Sequence, residues 1–215
     1  MPNCAKKQII VSSNIIATKN PLQGLAKNHV DAYYWLLNNK LVPMGTDLVD
    51  DIIKNSRGFI FPVDTTYLEN YLDGYKLVYV PFNPASSGIP DYIDGFWDFG
   101  EDRTTVRIFY NNNRPPKRQL FTKIHETMHF CQSLDQYFID LVDYLKTKTS
   151  VPQKFIEKLI DKSADKAAAM YLMPTKYLLA KCKETTDVQT LSDFFQASPS
   201  TVQYRLKECG IIQQY

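Results

Sequence analysis

The pentapeptide His125-Glu126-Thr127-Met128-His129 constrains this chain more than any other stretch. Two imidazoles four residues apart share one face only when the backbone between them is helical, and from that face both reach a single zinc ion at about 2.0–2.1 Å. Glu126 then falls beside the metal, where a carboxylate can take a proton from an activated water and pass it to a leaving amine. The chain holds only three His and six Glu in 215 residues. A motif of this form therefore arises by chance in roughly one such chain in a thousand. The bland alternative is two surface histidines on an ordinary helix. It fits poorly with the flanking Leu120, Phe121, Ile124, Met128 and Phe130, which mark a largely buried helix.

An apolar fraction of 44% argues against disorder, and the length allows one domain, or one with a small appendage, to bury a sizeable core. The net charge of +2 points neither to a nucleic-acid footprint nor to a funnel for acidic substrates, although residues 1–30 carry four lysines and no acid. Ser12, Ser13 and Asn14 interrupt the apolar run after Lys6-Lys7, so no signal peptide is expected. No stretch is apolar enough to span a bilayer. Cys4, Cys131, Cys182 and Cys209 show no CxxC spacing, which suits free thiols in a reducing cytoplasm. Cys131 lies two residues past the motif, where it is a candidate metal neighbour, and packing is the role expected of it.

The pattern along the chain changes twice. A helical stretch is expected over Pro21–Asn39 and a shorter one over Gly45–Asn55. From Phe59 to Asn112, short aromatic and β-branched runs separated by Gly, Pro, Asp and Asn predict three strands of a small sheet, at Leu77–Val80, Gly95–Phe99 and Thr105–Tyr110. The motif helix starts after Arg114-Pro115-Pro116, and helices dominate from there on. There is no repeat and no low-complexity segment.

A zinc ion held by two histidines needs a third protein ligand and one open position. His29, the remaining histidine, is far upstream, so a carboxylate is the better candidate. Glu157, Asp161 and Asp165 are spaced by four on an expected helix over Phe155–Met173. Ala164 and Ala168 on the same face would let that helix approach the motif helix closely. The competing reading is a solvated acidic face balanced by Lys158, Lys162 and Lys166.

Three blocks of the sequence resemble the ImmA/IrrE metallo-endopeptidases of prophages and other mobile elements. Residues Arg118 to His129 are similar to the family's R-Q-x-F-T-x-A-H-E-x-x-H, and Asp161 to Pro174 to its E-x-x-A-N-x-F-A-A-x-L-L-M-P. Leu191 to Phe195, with Ser198, Val202, Arg205, Leu206 and Gly210, is similar to its closing L-A-x-x-F-x-V-S-x-x-x-V-x-x-R-L-x-x-L-G. The resemblance covers about residues 105–212. It implies an α+β zincin-like fold, with a three-stranded sheet packed against the HExxH helix and a helical C-terminal part. The expected organisation is an N-terminal helical segment over 1–58, a metallopeptidase core over 59–186 and a helix-turn-helix-like appendage over 187–215. The resemblance further implies that His125, His129 and Asp161 bind Zn2+, that Glu126 is the general base, and that Asp165 orients a ligand histidine from outside the coordination sphere. The chain departs from the pattern at Asp161, where the family has Glu, and at Asp165, where it has Asn. Ile124 stands for an Ala and Ala167 for a Phe.

The implied reaction is hydrolysis of a peptide bond in a specific cytoplasmic protein, a helix-turn-helix repressor carried on the same mobile element. The alternative is a zincin scaffold without turnover that regulates by binding protein or DNA, and a retained Glu126 speaks against it. Thr201 to Lys207 can be read as a recognition helix, but its mixed charge disfavours DNA binding. Gln203, Tyr204 and Lys207 are then candidates for docking a protein. Tyr110, Tyr137 and Tyr171 are unranked candidates for stabilising an oxyanion, and Arg118 reads first as a helix-surface residue, with neutralising an acidic partner or capping the sheet as its alternatives.

Overall fold

A computed structural model describes residues 42–56, 59–148 and 151–213. The helix expected over Pro21–Asn39 lies outside them, as do His29 and Cys4. The described chain runs α1 (Val42–Asn55), α2 (Thr66–Tyr71), β1 (Lys76–Phe82), α3 (Pro84–Ser87), β2 (Gly95–Phe99), β3 (Thr105–Asn111), α4 (Pro116–Leu134), α5 (Gln136–Lys148), α6 (Gln153–Leu172), α7 (Thr175–Cys182), α8 (Val188–Phe195) and α9 (Pro199–Glu208). The class is α+β. The three expected strands are present, each within two residues of its expected bounds.

The sheet order is β1-β3-β2, so the last strand is the central one. β3 pairs in parallel with β1 and antiparallel with β2. Asp98 sits opposite Arg107 in that antiparallel register, and the guanidinium reaches both carboxylate oxygens at 2.7 Å. Alternation then sends Leu77, Tyr79, Val106, Ile108 and Trp97 to the face that packs on Phe130 and Cys131 of α4. Phe130 is fully buried and lies edge-on to Tyr75, Trp97 and Phe99, with ring centroids 5.0–5.8 Å apart. Edge-to-face contacts of this kind contribute about 0.5–1.5 kcal/mol beyond area burial.

Helix α4 is buried on two sides because its apolar residues do not form a single stripe. Phe130 and Cys131 face the sheet, whereas Phe121, Ile124 and Met128 join Ala164, Ala167 and Ala168 of α6. The alanines allow the two helices to pack closely, and α1 packs on α6 through Val49 and Ile52. The departures Ile124 and Ala167 fall in this same cluster.

Pro116 opens α4 at a position where no N–H is required, and the Pro115 carbonyl accepts from Arg118 and Gln119. The C-terminal pair α8 and α9 is capped by Asp187 and Ser198, whose side chains accept from Thr190 and Thr201. Leu191, Phe195, Val202 and Leu206 extend the main cluster into this pair.

Candidate metal centre

The helical spacing of His125 and His129 brings their Nε2 atoms within 3.0 Å of each other. Asp161, on the neighbouring α6, places Oδ1 3.5 Å from His125 Nε2. One ligand atom from each of the three residues lies within 4.8 Å of the others. Three donors at about 2.0–2.1 Å around a tetrahedral ion would stand about 3.3 Å apart, so these separations fit a shared metal. The donor chemistry, two imidazoles and one carboxylate, fits as well. Glu157, the third acid of the expected face, is not part of this group, and Cys131 is turned into the sheet interface. Burial pushes the Cys131 thiol up to about 12, which suits a packed, unreactive cysteine.

Asp165, one turn beyond Asp161, brings Oδ1 3.1 Å from His125 Nδ1. The contact is an ion-pair approach rather than a well-aligned hydrogen bond, and Asp165 is the charged neighbour of this buried nitrogen. Asp165 also pairs with Lys162. Burial opposes its ionisation, but His125 and Lys162 together hold its carboxyl down to about 2. Burial alone would lower the His125 pKa, whereas Asp161, Asp165 and Glu126 carry it up to about 9. His129 is held below its ordinary value by burial and by the neighbouring His125.

Glu126 is only 9% exposed. Burial, helped by the negative charges of Asp161 and Asp94 and opposed by His125, raises its carboxyl to about 7. A base with this pKa is matched to proton transfer near neutrality.

Residues not singled out from the sequence complete the surroundings. Gly95 at the start of β2 sits directly against α4 beside Thr122 and Glu126. Just before it, Asp94 binds Arg114 Nε at 2.6 Å and Arg118 Nε at 2.9 Å. Arg118 is therefore an anchor between the helix and the strand, not a plain surface residue. Its ring contact with Phe121, 5.5 Å from the centroid, adds to this. Gln132 accepts from His129 at 2.9 Å and donates to Ser163 on α6 at 2.6 Å. Among the tyrosines, Tyr171 is fully buried, with its hydroxyl donating to the Asp64 carbonyl at 2.6 Å, so it is committed to the core. Tyr110 lies under the Lys123 ammonium, 4.1 Å from its ring centroid, and Tyr137 is partly exposed on α5.

Residues 76–207 match the Peptidase_M78 family, described as the IrrE N-terminal-like domain. The chain belongs to that family. The family is a metallopeptidase one, and the match spans all three strands, both helices that carry the His-His-Asp group and nearly all of α9. A solved Mycobacterium tuberculosis transcriptional regulator shares the fold with a TM-score of 0.56 at 14% identity. The alignment covers 83% of this chain and 51% of that one, so the chain spans about half the length of the regulator. No curated protein matches the sequence. Among the described residues, no helix is long and apolar enough to cross a membrane.

Proposed function

We propose that this chain is a zinc-dependent endopeptidase of the ImmA/IrrE type that cuts a specific cytoplasmic protein, a helix-turn-helix repressor carried on the same mobile element. The observation that carries the reading is the convergence of His125, His129 and Asp161 within 4.8 Å, with the buried Glu126 next to them in the chain. In this reading those three residues hold the metal and Asp165 orients His125. Zinc, when bound, supplies Lewis acidity to the scissile carbonyl and to the attacking water. Glu126 takes the proton of that water and returns it to the leaving amine. The ion pairs of Asp94 with Arg114 and Arg118 keep the start of β2 pressed against the helix that bears Glu126. Cys131, Cys182 and Cys209 are free thiols, which supports a reducing compartment.

One observation favours a second reading, a scaffold that regulates by binding without turnover: the solved protein of similar fold is a transcriptional regulator. The raised and buried carboxyl of Glu126 favours hydrolysis, because a site that only binds has no need of a base there. Incubating the zinc-loaded protein with the repressor encoded beside it, and separately with casein, tests the proposal. Cleavage of the repressor at one or a few bonds, lost in Glu126→Gln, is the expected result. Digestion of casein without preference would overturn the regulatory part, and tight sequence-specific DNA binding without proteolysis would favour the second reading.

A further inference from the structure

We propose that Gln132 is a positioning residue that fixes the tautomer of His129, and that Ser163 fixes the orientation of Gln132. This rests on the metal-binding reading above and extends it to two side chains outside the ligand set. The Ser163 hydroxyl is 3% exposed and directs its single proton to the Ile160 carbonyl at 2.7 Å. Its oxygen is then free only to accept, and the group 2.6 Å away must be the NH2 of Gln132. With the amide nitrogen engaged there, Oε1 of Gln132 faces His129 Nδ1 at 2.9 Å and can only accept from it. The His129 proton therefore resides on Nδ1, and the Nε2 lone pair points at His125 and Asp161, where a metal ion is to be bound.

The opposite orientation fails at each link. A flipped amide would present its NH2 to Nδ1 and drive the imidazole proton onto Nε2, into the position a cation must occupy. Ser163 would have to turn its proton away from Ile160, and its burial leaves little access to water as a replacement. The polarity runs from a backbone carbonyl of α6 through two side chains to a histidine of α4. It thus links the helix of Asp161 to the helix of His129, and Ser163 stands between Asp161 and Asp165 on α6. Orienting partners of this kind typically change metal affinity by about 10–100-fold.

The test measures zinc affinity of the full chain by competition with a chelator, and the His129 tautomer by 15N spectra of the metal-free protein. Gln132→Leu is expected to bind zinc about 10–100-fold more weakly and to lose the Nδ1–H preference. Ser163→Ala, which removes the acceptor that holds the Gln132 amide in place, is expected to shift both in the same direction. The metal-free melting temperature of each variant separates loss of fold from loss of orientation. A Gln132→Leu protein with wild-type affinity and tautomer would overturn the proposal, as would a Ser163→Ala protein unchanged in both. A wild type that takes up no zinc, like His129→Ala, would instead sink the metal-binding reading, and the tautomer spectra would then decide the relay on their own.

Discussion

Gly95 and Glu126 touch across the sheet–helix interface so closely that a Cβ on the glycine would stand 3.1 Å from Cγ of Glu126. It would also overlap the Thr122 methyl and lie 2.8 Å from the Phe109 carbonyl oxygen. The backbone oxygen cannot move aside as a flexible side chain can. Gly95→Ala should therefore cost about 1–3 kcal/mol through overpacking and displace the Glu126 side chain. Zinc content should be retained, because the atoms that the new Cβ meets belong to Thr122, Phe109 and Glu126 and to none of the three ligand residues. Urea denaturation, metal analysis and the cleavage assay read the three effects separately. Unchanged stability and activity would show that the interface yields more easily than the distances imply.

Asp161 and Asp165 should differ in how they affect metal binding. Asp161 offers an oxygen to the shared position, whereas Asp165 lies against the far nitrogen of His125. Asp161→Ala is expected to empty the site. Asp165→Ala should weaken it by about 10–100-fold, as loss of an orienting partner does. Zinc titration of the two variants gives the order. If Asp165→Ala proved the more damaging, the assignment of the two carboxylates would be reversed.

The ion pairs at Asp94 predict a pH dependence of stability. Burial opposes ionisation there, but the guanidiniums of Arg118 and Arg114 hold the carboxyl below its ordinary 3.8. A carboxyl whose pKa is depressed in the folded state contributes stability above its unfolded value, and this contribution is lost as pH falls through the folded value. The stability gap between wild type and Asp94→Asn should thus be full at pH 7 and shrink below about pH 4. Denaturation curves at several pH values check it. A gap independent of pH would mean that the carboxylate acts there by shape alone.

Those parts of the fold that repeat along the chain were legible in the sequence. Short aromatic and β-branched runs bounded by Gly, Pro, Asp and Asn marked the three strands, and the interval between His125 and His129 required a helix whatever surrounded it. The family pattern then singled out Asp161 and Asp165, which spacing alone could not separate from Glu157. What stayed hidden depends on contacts between distant segments. Arg118 looked like surface because its partner Asp94 lies 24 residues earlier in a loop without periodicity. Gln132 and Ser163 are ordinary polar residues until two helices bring them together across 31 positions. Gly95 read as a strand boundary, since a missing side chain reveals nothing about the neighbour that needs the space.

The last helix, α9, divides into a structural face and a free one, and the two should respond differently to mutation. Arg205 is 2% exposed and donates to the Met173 carbonyl and Thr175 Oγ1 at 3.0 Å, while pairing with Glu208. It ties α9 to the end of α6. Arg205→Met keeps much of the volume but leaves the buried Met173 carbonyl without its donor and Glu208 with Lys166 as its remaining cation. It should cost about 1–3 kcal/mol, as expected when a buried acceptor is left unsatisfied. Gln203, Tyr204 and Lys207 are exposed on the same helix, with the Tyr204 ring under the Lys166 ammonium of α6, and exposed positions of this kind usually change stability by less than about 0.5 kcal/mol. If the free face docks the substrate, the triple variant Gln203→Ala, Tyr204→Ala, Lys207→Ala should melt close to wild type and hold zinc normally. It should nevertheless cut the repressor with a raised KM and a little-changed kcat. Wild-type KM in the triple variant would move the docking surface elsewhere, and a large fall in melting temperature would show that the outward face is structural after all.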